Sequence, residues 1–243
     1  MISNQKVLKL FLKSIFFSGF SLNFSDSFFF VYIDWFHNFN YRLLLGVLVF
    51  VVFLFFFLFI NFFFFKSVKT EYQWGELLCS VFPSLVLVVQ MVPSLGLLYY
   101  YGLISSDSQL SLKVIGHQWY WSYDYGDVNG LEFDSYMKSL DMLNLGDMRQ
   151  FDVDNRCVLP FGVDVRFCVS SGDVIHAWAL NSLGIKLDAM SGIISVFFYS
   201  FPLIGVYFGQ CSEICGANHR FIPIVLEVTP FFMFKGWCGL FLD

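Results

Sequence analysis

Two thiols, a carboxylate and an imidazole fall within nine residues near the C-terminus, in Cys211-Ser212-Glu213-Ile214-Cys215-Gly216-Ala217-Asn218-His219. A second imidazole, His176, stands 35 residues before Cys211 in Asp173-Val174-Ile175-His176-Ala177-Trp178. Thiolates combined with imidazoles select copper, zinc or iron–sulfur chemistry over magnesium or calcium. Cys211 and Cys215 are one residue too far apart for a CxxC redox pair. A tight loop would still aim both sulfurs at one point, with His219 four residues on and His176 arriving from another strand. Zinc needs four tetrahedral ligands, commonly with a second close pair, and here that pair would be His219 and the distant His176. A mononuclear blue-copper site takes two His and one Cys plus a weak axial ligand, which leaves one cysteine without a role. A dinuclear copper centre employs all four if both thiolates bridge. Spacing alone leaves copper and zinc open. The other cysteines, Cys79, Cys157, Cys168 and Cys238, lack ligand-like neighbours, and buried free thiols are the ordinary fate of such residues.

The elements that must position these donors lie in residues 105–243, about 140 residues and enough for one core. Their pattern is mostly of period two. Lys113–Tyr125 alternates aromatic and polar residues from Gln118 on. Phe151–Asp154, Val163–Val169, Gly192–Tyr199, Gly205–Gly209 and Pro223–Val228 read as further short strands between turns. No helical periodicity competes, so the expectation is an all-β sandwich or barrel with Greek-key connections. Eight basic residues face fifteen acidic ones in this part, a net of −7 against −5 for the whole chain. A domain of that sign repels nucleic acid and suits a basic partner steered by charge; ordinary solubility would produce the same sign.

Ahead of this domain the composition is that of a membrane anchor. Residues 43–65 carry no charge over 23 positions and are rich in Phe. At about 1.5 Å per residue such a helix crosses the roughly 30 Å hydrocarbon core. A second uncharged stretch, Leu77 to Ile104, contains Pro83, Gln90, Pro93 and Gly96. Membrane helices tolerate proline where neighbouring helices satisfy the freed carbonyls, so this one is expected to pack against protein on one side. The two form a hairpin, and the chain divides into 1–41, an N-terminal segment; 42–104, the transmembrane hairpin; and 105–243, the globular domain. Lys66 and Lys69 in the connecting loop favour that loop on the inner side, whereas Lys6, Lys9, Lys13 and Arg42 argue the opposite. Charge leaves the orientation open. The 34 Phe in 243 residues fit a lipid-facing surface, a T-rich coding strand such as a mitochondrial one, or both.

Cys-Ser-Glu-Ile-Cys-Gly-Ala-Asn-His at 211–219, Asp-Val-Ile-His-Ala-Trp at 173–178 and Gly-His-Gln-Trp-Tyr-Trp-Ser-Tyr at 116–123 together resemble subunit 2 of mitochondrial cytochrome c oxidases. The likeness runs in order from about Asp34 to Trp237 and includes Asp-Ser-Tyr at 134–136 and Val-Asp-Asn-Arg at 153–156. It implies a two-helix hairpin and a cupredoxin-like Greek-key barrel carrying the dinuclear CuA centre. The protein would lie in the mitochondrial inner membrane, with residues 1–41 and 105–243 on the intermembrane-space side and the Lys66–Glu76 loop facing the matrix. Electrons would be accepted from cytochrome c and passed to heme in subunit 1, where oxygen is reduced with proton pumping. The implied partners are cytochrome c, subunits 1 and 3, accessory subunits and inner-membrane lipid, with no nucleic acid.

Carried over by motif, Cys211 and Cys215 would bridge the two coppers, with His176 and His219 as terminal ligands. Glu213 would ligate one copper through its backbone carbonyl and direct its carboxylate to a magnesium shared with subunit 1. One electron shared over two bridged coppers leaves bond lengths almost unchanged on reduction, which suits a rapid relay. Three aromatics among His117–Trp121 fall on both faces of a strand, so at least one is expected to be exposed, and the family's electron-receiving tryptophan matches Trp119. Asp124, Asp127, Glu132, Asp134, Asp154 and Asp173 could supply the surrounding carboxylates, with Asp134, Asp154 and Asp173 the better motif matches. Glu76 matches the family's carboxylate at the mouth of one proton pathway; its plain reading is an interfacial acid.

The family's weak axial Met belongs three residues after the second His, where this chain has Ile222. Isoleucine has no donor atom. Either the centre lacks its thioether, which alters its potential, or the residue is Met, since many mitochondrial codes read ATA as Met. Ile33 and Ile104 also stand where the family tends to have Met. Two competing functions make different demands on these residues. Quinol oxidase subunits of this fold lack the copper ligands, which are all present here. A membrane-tethered zinc or copper protein without redox turnover would not require Trp119, the acidic ring or Glu213. The first 25 or so residues lie outside the reliable part of the likeness; Lys6, Lys9 and Lys13 could share a helix face as in an import signal, although the lack of Arg weakens this.

Overall fold

The computed structural model of the chain describes residues 28–61, 71–102, 107–128 and 130–241. Two long helices make up the first unit, α1 (Phe28–Asn61) and α2 (Gln73–Gly102). Tyr32 meets Tyr100 at 5.9 Å between ring centroids and Phe50 meets Phe82 at 6.4 Å, so the helices run antiparallel. α1 starts well before the uncharged run that begins at Leu43. Its first turns carry Asp34, His37, Asn38, Asn40 and Arg42, with Asn38 donating to Asp34 at 3.3 Å. Both helices are long and apolar enough to cross a membrane. Pro83 and Pro93 lie inside α2 without ending it. The predicted ends at Phe62–Phe65 and Leu103–Ile104, Lys66 and Lys69, and the N-terminal Lys6, Lys9 and Lys13 lie outside the described residues.

The second unit is a β-sandwich. In chain order its strands are β1 (Leu110–His117), β2 (Tyr120–Tyr125), β3 (Glu132–Ser135), β4 (Cys157–Pro160), β5 (Asp164–Ser171), β6 (His176–Leu180), β7 (Ile185–Ala189), β8 (Ser195–Ser200), β9 (Gly205–Gln210) and β10 (Pro223–Thr229), followed by α3 (Phe231–Gly239). One sheet has the order β3-β2-β1-β5-β8; the others are β4-β10-β9 and the pair β6-β7. The parallel pairings β1 with β5 and β4 with β10 join strands far apart in sequence, so the chain crosses over between strands and is not a simple meander. The core forms where alternating positions turn inward: Leu112 and Val114 from β1, Trp121, Tyr123 and Tyr125 from β2, Phe167 from β5 and Trp178 from β6 are all buried. The Phe167 and Trp178 rings lie 5.1 Å apart, and truncating such an aromatic costs about 3–5 kcal/mol.

Two strand expectations change, and one helix is added. Lys113–Tyr125 is a hairpin and not one strand, turning at Gln118 and Trp119, with Lys113 opposite Asp124 and Gly116 opposite Trp121. The two-residue turn reverses the phase, so the inward positions are even-numbered in β1 and odd-numbered in β2; aromatic residues on both faces around the turn obscure that change. Phe151–Asp154 forms only a single bridge, Val153 to Met137. Its acidic side chains take other partners: buried Asp152 holds Arg156 at 2.9 Å, and Asp154 accepts from the N–H groups of Tyr136 and Asn155. Such side-chain acceptors compete with a ladder. α3 escaped notice because it is nine residues long and apolar nearly all round, with only Phe234 and Cys238 buried.

Candidate metal centre

The donors converge because three strand ends meet. β6 begins at His176, β9 ends at Gln210 and β10 begins at Pro223, and residues 211–222 loop between the last two. Cys211 N–H donates to Ile222 O at 3.0 Å and Ser212 N–H to Ala177 O at 3.1 Å, stitching the loop to β6. The result is a sharply bent row. His176 Nδ1 lies 3.9 Å from Cys211 Sγ, the two sulfurs are 4.0 Å apart, and Cys215 Sγ lies 3.5 Å from His219 Nδ1. His176, Cys211 and Cys215 are buried, with donor atoms all within 4.8 Å of one another. His219 stands outside that group, half-buried, nearest to Cys215 and acting more weakly on Cys211.

His176 is held by its other nitrogen. Nε2 sits 2.8 Å from Asp173 Oδ1, which keeps the proton on Nε2 and leaves the Nδ1 lone pair for a metal. The ring packs against Gly116: a Cβ there would stand 3.0 Å from two His176 ring carbons and from one Trp121 carbon, so a larger residue would have to push one of these rings aside. Trp121, fully buried, meets the same ring edge-on at 5.9 Å. Burial disfavours the imidazolium, but hydrogen bonds to Cys211 and Asp173 outweigh it and raise the His176 pKa. Asp173 responds in the opposite sense: desolvation opposes its ionisation, while His176 and the N–H groups of Gln118 and Val174 lower its pKa overall. Between the thiols, burial opposes both ionisations. Hydrogen bonds with His176 and the backbone at Ala177 bring Cys211 down, and the Cys211 charge adds to burial in pushing Cys215 up. A cation between the sulfurs removes that conflict, so the donor set fits a soft metal.

Of the other residues singled out, Glu213 divides its oxygens. Its carbonyl accepts from Cys211 Sγ at 3.4 Å, while its carboxylate points to Lys186, 3.6 Å away. Trp119 is half-buried and not exposed; its indole leans on the metal loop at Gly216, where φ is +127° and an added Cβ would stand 3.3 Å from the ring. Asp134 and Asp154 are exposed and flank Tyr136, whose hydroxyl reaches Asp134 and whose N–H donates to Asp154. Tyr136 stacks on Tyr120 at 4.5 Å, beside Trp119 in the chain. Asp124 is paired with Lys113 at 3.7 Å, five residues past the hairpin turn. Asp127 accepts from Ser111 N–H, and Glu132 is exposed on β3. Asp173 is bound up with His176. Glu76 is exposed in the first turn of α2, where the helix dipole favours negative charge. Ile222 is buried, with its carbonyl tied to Cys211. Gln118 and Lys186 were passed over in the sequence; neither has a spacing that announces it.

The chain matches the family model described as "Cytochrome C oxidase subunit II, periplasmic domain" over residues 110–229. Cytochrome c oxidase subunit 2 of Caenorhabditis remanei is 66% identical over 223 residues, covering 92% of this chain and 97% of the relative. The Ascaris suum protein of the same description is 65% identical over 229 residues, 94% of this chain and 99% of its own. Among solved structures, the periplasmic domain of subunit II of cytochrome oxidase from Bradyrhizobium japonicum is similar at TM-score 0.52 and 38% identity, covering 56% of this chain and 95% of that one. Relatives matched over nearly their whole length at this identity lead to one conclusion: the chain belongs to the cytochrome c oxidase subunit 2 family.

Proposed function

We propose that the domain holds a dinuclear copper centre of the CuA kind on His176, Cys211, Cys215 and His219, through which electrons from cytochrome c reach heme in subunit 1. The observation that carries this reading is the order of the donors: imidazole, thiol, thiol, imidazole, at 3.9, 4.0 and 3.5 Å. A single tetrahedral zinc would need all four donors within roughly 4 Å of one another. His219 stands outside the compact group, which supports two metals that Cys211 and Cys215 would hold between His176 and His219. When bound, the pair supplies a one-electron carrier that needs little rearrangement. The protein's own residues exclude water from Cys211 and Cys215 and fix the His176 tautomer, and the half-buried Trp119 provides the contact between surface and loop.

In the same reading Glu213 lends its carbonyl to one copper and its carboxylate to a magnesium shared with subunit 1, exchanging Lys186 for that ion. Asp134 and Asp154 flank Tyr136 and offer free negative charge to a basic cytochrome c; Asp173 serves His176 first. Asp124, neutralised by Lys113, contributes less. Glu76 opens a proton pathway on the matrix side. The chain sits in the mitochondrial inner membrane, with residues 1–41 and 105–243 in the intermembrane space and 42–104 as the anchor, among subunits 1 and 3 and accessory subunits. Family membership leaves a tethered metal protein without redox turnover unsupported. The test is rapid mixing of the copper-loaded oxidase with reduced cytochrome c. The purple mixed-valence absorption should bleach as cytochrome c is oxidised; an absorption indifferent to cytochrome c would contradict the reading.

A further inference from the structure

The two halves of the donor row are held in different ways. The Cys211 end is fastened by backbone bonds to Ile222 and Ala177. Beyond it the loop is exposed at Ile214, Gly216, Ala217 and Asn218. The backbone bonds that remain there close within the loop, His219 N–H to Gly216 O at 3.2 Å and Phe221 N–H to Asn218 O at 2.8 Å. Among the described residues, the hydrogen bond that ties Cys215 to the rest of the domain comes from a side chain: Gln118 Nε2 donates to Cys215 O at 2.7 Å. The same residue's backbone N–H donates to Asp173 Oδ2 at 2.7 Å, and Asp173 holds His176 at 2.8 Å. Gln118 therefore reaches both ends of the row, by its backbone toward His176 and by its amide toward Cys215.

We propose that Gln118 is a positioning residue whose side-chain amide, by holding the Cys215 carbonyl, keeps the Cys215–His219 half of the metal centre matched to the His176–Cys211 half. The proposal rests on the two-copper reading above. An electron is shared equally by two metals only while their surroundings stay nearly identical, because any difference in site energy traps it on one side. The Cys211 half inherits rigidity from β6, but the Cys215 half lies in an exposed loop around Gly216, a position with positive φ. The Gln118 amide supplies the restraint this half lacks. Partners that orient metal ligands in this way typically change metal affinity about 10–100-fold when removed.

Gln118→Met and Gln118→Glu keep the backbone N–H that serves Asp173 and remove the amide donor. Gln118 is exposed at a hairpin turn, so neither substitution opens the core. The full chain is loaded with copper in detergent, with no cytochrome c present, and its paramagnetic resonance and copper release to a chelator are measured. The wild type should show the hyperfine pattern of an electron shared by two copper nuclei. Both variants should shift toward the pattern of an electron held on one, and release copper about tenfold faster. A residue that served only to touch cytochrome c would change neither readout. Wild-type patterns and release rates in both variants overturn the proposal. A wild type without the shared pattern overturns the two-copper reading itself, and this proposal with it.

Discussion

The Trp119 indole rests on Gly216, so closely that a Cβ at that glycine would lie 3.3 Å from two ring atoms. The contact joins the β1–β2 turn to the loop that carries Cys215, one residue before Gly216. In the proposed reading it would give Trp119 a route to the metal without making it a ligand. Trp119→Ala is expected to slow electron transfer from cytochrome c strongly while leaving the copper absorption intact. Stopped-flow oxidation of reduced cytochrome c, read beside the optical spectrum, checks both halves. Loss of copper in step with loss of rate would show instead that the ring is a structural support.

Asp134 and Asp154 stand exposed on either side of Tyr136. Reversing either charge, as in Asp134→Lys or Asp154→Lys, should slow association with cytochrome c by about tenfold at low salt and flatten its dependence on ionic strength. Asp124→Lys should do less, because Lys113 already neutralises that carboxylate. Equal effects from all three would mean that general charge matters more than placement.

Ile222 is buried, and its carbonyl accepts from Cys211 N–H. If the residue is isoleucine, a donor is missing beside the metals. Loss of a donor destabilises the oxidised form more than the reduced one, so the potential should lie above that of Ile222→Met, and copper should be held about tenfold less tightly. Peptide mass spectrometry of the native protein decides between Ile and Met at this position. A native Ile peptide together with equal potentials for the two forms contradicts the expectation.

Away from the metals, the N–H of Asn144 and the Lys138 ammonium, both 3.0 Å away, hold the Asp147 carboxyl below the usual carboxylate range. A depressed folded pKa contributes stability above the unfolded value of about 3.9, and that stability is lost as pH falls through the folded value. Asp147→Asn should therefore melt below the wild type at neutral pH, and the two curves should converge in acid. A gap that persists in strong acid would mean that packing, not charge, holds this turn.

The donors were legible in the sequence because thiols and imidazoles are scarce and their chemistry is narrow; Cys211, Cys215, His219 and His176 needed only a fold to bring them together. The hairpin of membrane helices was legible from hydrophobic length alone. What remained hidden depends on side-chain direction. Asp173 reads as one acid among many until it is seen against His176. Gln118 reads as a turn residue until its amide is found on the Cys215 carbonyl. Trp119 was expected near the surface, but its packing on Gly216 follows from a turn that the crowd of aromatics on both faces obscures. α3 was too short and too evenly apolar to declare a buried face.

The most direct measurement is the metal content of the full chain and of Cys215→Ser after reconstitution with copper and zinc together. The row of donors predicts two coppers per wild-type chain, a purple mixed-valence absorption, and loss of both that absorption and the paired copper in the variant. One zinc per chain, or copper retained in Cys215→Ser with its spectrum unchanged, would contradict it.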